Sequence, residues 1–133
     1  MFSHYLMFGG DCSQALDTYV EAFGAEIIET QTYGEIEDPG FPVPEEMRDL
    51  ILHSRLRWEG TELMCADSSE HRHPGDNMYV AVASPDEEFV RRAWEVLMLG
   101  GTIYMDLEST VFSGAHGSLR DRFGVNWMFT VTL

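Results

Sequence analysis

Two histidines lie in strand-like segments of the first half of the chain, and their side chains could bind a metal or transfer a proton. His4 lies near the N-terminus, and His53 lies in an alternating segment that ends at Trp58. A neutral imidazole binds divalent transition metals and also acts as a base near pH 7. Two interpretations stay open: the pair binds a divalent metal, or both rings line a pocket and are held by hydrogen bonds.

Two arginines follow His53 at alternate positions. Because side chains alternate along a strand, Arg55 and Arg57 share a face with His53. A guanidinium can bind a carboxylate or a phosphonate through two parallel hydrogen bonds. The alternative is that these arginines pair with acidic neighbours, which we favour for Arg57 and leave open for Arg55.

Further histidines and two cysteines carry weaker signals. His116 precedes Gly117 near the second-last strand and is a candidate ligand contact. The His-Arg-His run at 71–73 resembles a metal-binding tract, but its linker-like surroundings favour a solvated loop. Cys12 and Cys65 are expected to be reduced thiols, because nothing else in the sequence indicates secretion.

An internal repeat predicts the elements that position these residues. The segment that begins at Tyr5 aligns with the segment that begins at Tyr79. In both segments, apolar residues recur at the i, i+3, i+4, i+7 spacing of one helix face. These residues are Leu16, Tyr19, Val20 and Phe23 in the first segment, and Val90, Ala93, Trp94 and Leu97 in the second.

Start and end signals delimit the two predicted helices. Asp11 with Gln14 resembles a capping box, and Ser84 with Pro85 and Glu87 makes a fuller one. Glycine, which readily adopts a left-handed conformation, ends both helices. The terminating glycines are Gly24 in the first repeat, and Gly100 and Gly101 in the second.

Strand-like segments surround each helix, and Glu59 with Gly60 supplies a hairpin turn. The sequence therefore predicts an α+β fold of two βαβββ modules in a single domain. The proline-rich and acidic segment 34–48 is expected to be a lid or an interface element. The predicted strands after the helices are 25–33, 49–58 and 61–66, then 102–109, 115–120 and 125–133. The predicted organisation is a single domain at 1–133, with module one at 1–67, a linker at 68–76 and module two at 77–133.

One set of alternating side chains is apolar enough to lie under the helices, whereas the other set mixes polar and apolar groups. A concave surface with a few polar groups is the usual form of a small-molecule site. We expect the mixed set to line the exposed concave face of a curved sheet. This set contains His4, His53, Arg55, Arg57 and Asn126.

The charge balance disfavours two classes of partner. The chain has 133 residues and a formal net charge of −15. Such a protein is repelled by a nucleic-acid backbone and by an anionic membrane surface. No apolar run reaches the length of a membrane-spanning helix, and the N-terminus lacks the features of a signal peptide. We therefore expect a cytoplasmic protein that binds neither nucleic acid nor membranes.

Four stretches carry a resemblance to a known family. They are YLMFGGDCSQALDTYVEAFGAEI, FPVPEEMRDLILHSRLRWEGTELMCADS, GGTIYMDLEST and GSLRDRFGVNWM, and together they span most of the chain. The loop with its PVPEEM sequence and the DRFGVNWM ending are the most specific. On these stretches the chain resembles the PhnB-like family of the vicinal oxygen chelate (glyoxalase/bleomycin-resistance/dioxygenase) superfamily.

The resemblance implies a glyoxalase-like fold, in which the two modules form a cupped mixed sheet with helices on its convex side. It also implies a homodimer and a small-molecule ligand. His4 and His53 occupy the two metal-ligand positions of the first half. In the second half, Met78 and Met128 stand where glyoxalase-like relatives carry His and Glu, and a thioether is a poor ligand beside imidazoles. The implied cofactor is a divalent metal (Zn²⁺, Ni²⁺, Mn²⁺ or Fe²⁺), or none.

Two functions are compatible with this resemblance. One is a divalent-metal-dependent lyase, isomerase or dioxygenase that acts on a small molecule in the cup. The alternative is a non-catalytic, small-molecule-binding protein of the bleomycin-resistance type. Some relatives are named ubiquinone methyltransferases, but the sequence lacks the glycine-rich cofactor loop of such folds, so we disfavour methyl transfer. No catalytic residue is assigned, and the residues expected to line the ligand are Phe8, Arg55, Met78, His116, Asn126 and Met128.

Overall fold

The computed structural model describes residues 1–70, 75–111 and 113–133. The chain divides into two compact units, which comprise Met1–Val20 with Gly24–Arg72, and Glu21–Phe23 with His73–Leu133. The histidine-containing tract at 71–73 lies outside the described residues, as does part of the linker predicted at 68–76. In the described ranges, no helix is long and apolar enough to cross a membrane.

The first unit contains a four-stranded mixed sheet with the strand order β1-β4-β3-β2. Strand β1 runs parallel to β4, and the other neighbours are antiparallel. The hairpin between β3 and β4 turns at Glu59 and Gly60, whose φ angles of 47° and 76° are both left-handed, as a two-residue hairpin loop requires. The elements are β1 (His4–Phe8), α1 (Cys12–Phe23), β2 (Glu26–Thr32), β3 (Ile51–Trp58) and β4 (Thr61–Asp67).

The second unit repeats this topology with the strand order β5-β8-β7-β6. Strand β5 runs parallel to β8, and the other neighbours are again antiparallel. Its elements are β5 (Val80–Ser84), α2 (Glu87–Met98), β6 (Thr102–Thr110), β7 (Ser113–Arg120) and β8 (Asn126–Val131). The predicted α+β fold of two βαβββ modules is confirmed.

Each sheet has a covered face, which lies against apolar residues of a helix, and an open face on its other side. In the first unit, Leu56 and Cys65 are buried on the covered face. In the second unit, the Trp94 ring of α2 lies 5.7 Å from the Phe129 ring of β8. The burial of alternate residues along β3 and β8 agrees with the side-chain sets predicted from the sequence.

The two helices begin differently from the sequence prediction. The predicted capping box at Asp11 is wrong, because the Asp11 side chain makes no capping hydrogen bond. Instead, the carboxylate of Asp67 in β4 accepts a hydrogen bond from the Cys12 amide at 3.0 Å. In the second unit the cap is Asp86 rather than Ser84, and Asp86 accepts from the amide of Phe89 at 3.1 Å. A remote residue therefore caps α1, whereas a local residue caps α2.

The predicted loop at 34–48 is closed at its base by backbone hydrogen bonds. The Gly34 amide donates to the Arg48 carbonyl at 2.8 Å, and the Tyr33 amide donates to the Leu50 carbonyl at 3.0 Å. Within the loop, Met47 is buried. These bonds fix the two ends of the loop to each other, and its role as a lid or interface element stays a prediction.

Candidate ligand site

A tyrosine and a histidine meet on the open face of the first sheet. The Tyr5 hydroxyl and His53 Nδ1 are 2.8 Å apart, and the ring centroids are 5.7 Å apart. Tyr5 pairs in register with Met64 of β4, and Met64 pairs with Arg55 of β3, so all three side chains share the face of His53. Tyr5 is 44% exposed. The pair is therefore accessible to a ligand.

The surroundings keep the Tyr5 phenol protonated. Partial burial raises its pKa, and the nearby Cys12 and Cys65 thiols and the Tyr33 phenol raise it further. Nδ1 of a neutral His53 can accept a hydrogen bond from the Tyr5 hydroxyl, and in this tautomer the Nε2–H group is left as a donor. Of the described residues, none hydrogen-bonds His53 Nε2. The pair can thus present one polar contact to a ligand.

His4 does not join this pair. It immediately precedes Tyr5 in β1, and successive side chains of a strand point to opposite faces. His4 pairs in register with Leu63, which pairs with the buried Leu56 of the covered face. The structure therefore places His4 and His53 on opposite faces of the sheet. The prediction that both lie on one face is wrong, because alternation alone does not reveal which set of β1 residues lies under the helix.

Arg55 lies on the open face next to the pair, and two carboxylates hold it. Its guanidinium donates to Glu62 at 2.7 Å and to Glu29 at 3.2 Å. These hydrogen bonds, to Glu29 and then to Glu62, raise the pKa of the guanidinium. Arg57 lies 3.7 Å from the same Glu62 carboxylate. Both arginines therefore form ion pairs with acidic neighbours, which is the alternative to their binding an anionic ligand.

In the second unit, Asn126 has a structural role on the open face. Its amide nitrogen donates to the backbone carbonyls of Gly75 at 2.7 Å and Met78 at 3.0 Å. Its amide oxygen accepts from the Tyr104 hydroxyl at 3.0 Å. Because Asn126 is only 6% exposed, these bonds use most of its hydrogen-bonding capacity.

His116 resembles His53 in its surroundings. Its Nδ1 lies 2.9 Å from the Thr130 hydroxyl of the neighbouring strand. It pairs in register with Glu108 of β6 and Thr130 of β8. Each unit thus has, on its open face, a histidine whose Nδ1 is hydrogen-bonded to a hydroxyl.

The remaining predicted lining residues have different environments. Phe8 is 2% exposed and lies in the core of the first unit. Met78 precedes β5 and is 73% exposed. Met128 is half-buried in β8, where it pairs with Ala81 and Ser118. Of the two predicted lining residues in the first unit, Arg55 lies on the face of the Tyr5–His53 pair, whereas Phe8 lies on the covered face. The sequence analysis missed Tyr5, and the apolar Leu6 and Phe8 were the signal that Tyr5 lies on the opposite, open face.

The donor residues do not fit a metal ion. Protein sites for Zn²⁺ use three or four side-chain ligands. Within 1–70, 75–111 and 113–133, no three His, Cys, Asp or Glu side chains form such a group. The two histidines expected to bind the metal lie on opposite faces of the sheet, and His53 Nδ1 is occupied by Tyr5.

Proteins similar in sequence and in fold to almost the whole chain are known. The chain is 28% identical to Protein YjdN from Escherichia coli (strain K12), over 97% of this chain and 93% of that protein. It is 29% identical to the PhnB protein from Bacillus cereus, a putative 3-demethylubiquinone-9 3-methyltransferase, with a TM-score of 0.77 over 97% of both chains. Protein PA1353 from Pseudomonas aeruginosa is 26% identical, with a TM-score of 0.83 over 98% of this chain and 96% of that one.

A more distant relative shows the fold alone. FosX, a fosfomycin resistance protein from Listeria monocytogenes, is 12% identical, with a TM-score of 0.67 over 100% of this chain and 93% of that chain. The structure compared is that of a point mutant in complex with Mn(II) and 1S,2S-dihydroxypropylphosphonic acid.

The model of the family described as 3-demethylubiquinone-9 3-methyltransferase matches residues 1–130. The chain therefore belongs to this PhnB-like family and has the glyoxalase-type fold of the vicinal oxygen chelate superfamily.

Proposed function

We propose that this protein binds a small organic molecule on the open face of its first sheet and does not transform it. The observation that carries the proposal is the Tyr5–His53 hydrogen bond of 2.8 Å on an exposed face. A buried pair would be explained as core structure, but an exposed aromatic pair with an unoccupied ring nitrogen offers both stacking and a directed hydrogen bond.

The neighbouring side chains define the chemistry of the proposed ligand. Met7 and Met64 share the face of Tyr5 and offer polarisable apolar contacts. Arg55 already binds Glu29 and Glu62, so an anion would have to displace a carboxylate. These residues favour a ligand with an apolar body and one hydrogen-bonding group, rather than a carboxylate or phosphonate held by arginine.

A metal-dependent lyase, isomerase or dioxygenase is the competing function. FosX binds Mn(II), and the superfamily resemblance implies a metal for this chain also. His53 would have to leave Tyr5 or use Nε2, and among the described residues no two further His, Cys, Asp or Glu side chains are grouped with it to complete a metal site. We therefore derive no step through a metal.

Methyl transfer, which the family description names, is not our proposal either. Gly9 and Gly10 do follow β1 and precede α1, where a glycine-rich loop would have to offer its backbone amides to a bound cofactor. The amides of Gly10 and Cys12 instead donate to Asp67 at 3.0 Å each. These two amides are therefore not available to a cofactor.

A thermal-shift screen of small organic molecules tests the proposal. A ligand at one hundred times its dissociation constant stabilises a protein by about 2.7 kcal/mol, which is easily detected. We expect a compound that stabilises the wild type to lose about fivefold in affinity in Tyr5→Phe or His53→Ala, since a hydrogen bond contributes roughly 1 kcal/mol.

The matched control is His4→Ala, which removes the same side chain from the opposite face of the sheet. It should leave the affinity unchanged. Equal losses in His4→Ala and His53→Ala would contradict the proposed site. Stoichiometric binding of Zn²⁺, Ni²⁺, Mn²⁺ or Fe²⁺ that disappears in His53→Ala would instead favour the metal-dependent function.

We also propose that the protein is a cytoplasmic homodimer. Strand β6 is an edge of its sheet, and all of its residues except Leu107 are exposed, including Ile103, Tyr104 and Met105. Exposed edge strands with apolar residues tend to be covered by a partner. The two buried cysteines, which form no disulfide bond, support a reducing compartment. Sedimentation that gives only monomer at micromolar concentration would contradict the dimer.

A further inference from the structure

Two cysteines that are far apart in sequence meet in the core of the first unit. Cys12 is the first residue of α1, and Cys65 lies in β4, and both are 0% exposed. The Cys12 amide donates to Asp67, two residues after Cys65 on the same face of β4. The backbone therefore fixes the start of α1 directly over the strand that carries Cys65.

The two thiols also contact each other. Their side chains are within hydrogen-bonding reach, and this bond, burial and the Asp67 carboxylate together raise the pKa of the Cys12 thiol. The Ser54 hydroxyl opposes that rise in pKa, and it also donates to the Cys65 carbonyl at 2.7 Å. The hydrogen bonds to Asp67 and from Ser54 therefore hold the two cysteines close to each other.

We propose that Cys12 and Cys65 are an oxidisable dithiol that closes to an intramolecular disulfide when a peroxide is present. One thiol gives its sulfur electrons to hydrogen peroxide and becomes a sulfenic acid, with release of one water. The second thiol then attacks this sulfur and forms the S–S bond. The hydroxyl group of the sulfenic acid leaves as a second water, with the proton of the second thiol. Two thiols and one peroxide thus give one disulfide and two waters.

The disulfide would change the mechanics of the first unit. It would join α1 covalently to β4, where the Asp67 carboxylate already holds the start of the helix through hydrogen bonds. A cross-link that closes a long loop restricts the unfolded chain more than one that closes a short loop. Oxidation should therefore raise the melting temperature. Because the thiolate is disfavoured at Cys12, the reaction should be slow at neutral pH.

Peptide mapping after oxidation tests the proposal. The folded protein is treated with hydrogen peroxide, then denatured and alkylated, and its intact mass is measured. We expect the wild type to lose the mass of two hydrogen atoms, to resist alkylation and to yield a peptide that links Cys12 to Cys65. Dithiothreitol should reverse all three changes and the rise in melting temperature.

The single variants Cys12→Ser and Cys65→Ser provide controls, and Cys12→Ala and Cys65→Ala replace them if a buried hydroxyl prevents folding. In each variant the remaining thiol should stay alkylatable or gain oxygen, with no rise in melting temperature. The proposal is overturned if both wild-type thiols stay alkylatable after an exposure to peroxide that is many times longer than a free dithiol needs for full oxidation. It is also overturned if the products carry only sulfinic acids, or only disulfides between two chains.

Discussion

Each unit contains a buried aspartate that accepts hydrogen bonds from three N–H groups, and the two differ in where those groups lie along the chain. Asp67 binds the amides of Gly10, Cys12 and Ile51, which are 57, 55 and 16 residues away. Asp121 binds the amides of Phe123 and Val125 and the indole of Trp127, at separations of 2, 4 and 6 residues.

This difference shows how one topology can be stabilised in two ways. The turn around Asp121 is formed by neighbours in sequence, so it needs little tertiary structure. The bonds of Asp67 exist only after β1, α1, β3 and β4 have come together. The first unit therefore depends on a long-range polar contact, whereas the second depends on local turn chemistry and on the local cap Asp86.

The substitution Asp67→Ala should cause the largest loss of stability. This change leaves the buried amides of Cys12 and Ile51 and the half-buried amide of Gly10 without their acceptor, and each unsatisfied buried donor costs roughly 1–3 kcal/mol. We expect the free energy of unfolding to fall by about 3–5 kcal/mol in urea denaturation. A loss below about 1 kcal/mol would show that water or backbone rearrangement replaces the carboxylate.

The matched change in the second unit is Asp121→Ala. Phe123 and Val125 lie in a half-buried turn, where water can replace part of the lost bonding. We expect a smaller loss of about 2–3 kcal/mol, again measured by urea denaturation. If Asp121→Ala costs more than Asp67→Ala, the long-range contact is not the main polar anchor of the fold.

Alkaline pH should lower the stability of the first unit, because three of its side chains have raised pKa values. Cys12, Tyr5 and Tyr33 all have pKa values above their ordinary ones, and the ordinary values are 9.0 for Cys12 and 10.0 for the tyrosines. Above pH 9 the unfolded chain therefore loses protons that the folded chain retains, so stability falls as pH rises. Between pH 8 and pH 10 the Cys12 thiol should account for a loss of about 1.4 kcal/mol in total, most of it above pH 9. Urea midpoints between pH 8 and pH 10 measure it, and Cys12→Ala should reduce the slope.

The smallest expected effects concern the helix caps. Asp86→Ala removes a bond of 3.1 Å to the Phe89 amide and should cost about 1 kcal/mol. Asp11→Ala at the equivalent position of α1 removes no capping bond and should change stability by less than about 0.5 kcal/mol. Thermal unfolding of both variants measures the difference, and equal losses would contradict the assignment of Asp67 as the cap of α1.

Local patterns allowed most of the fold to be predicted from the sequence. The helix faces, the turn at Glu59–Gly60 and the sets of alternating residues in β3 and β8 depend on neighbours in the chain. The cap of α1 was not predictable in this way, because its acceptor, Asp67, lies more than fifty residues from Cys12. An aspartate at the N-cap position looks like a local cap whether or not its side chain makes the bond.

The candidate site was predicted only in part for the same reason. The orientation of His53 and Arg55 followed from alternation in a long strand with buried neighbours. The orientation of β1 depended on which residues contact α1, so His4 was assigned to the face of His53 and Tyr5 was overlooked. The ion pairs of Arg55 with Glu29 and Glu62 depend on strand register, which the sequence did not specify.

The most direct test of the proposed site follows the imidazole resonances of His4 and His53 by NMR while a stabilising compound is added. The two rings serve as reporters for the two faces of the same sheet. We predict that the His53 resonances, and those of the Tyr5 ring, shift in proportion to binding while the His4 resonances stay unchanged. Saturable binding that leaves His53 and Tyr5 unchanged would contradict a ligand site on the open face of the first sheet.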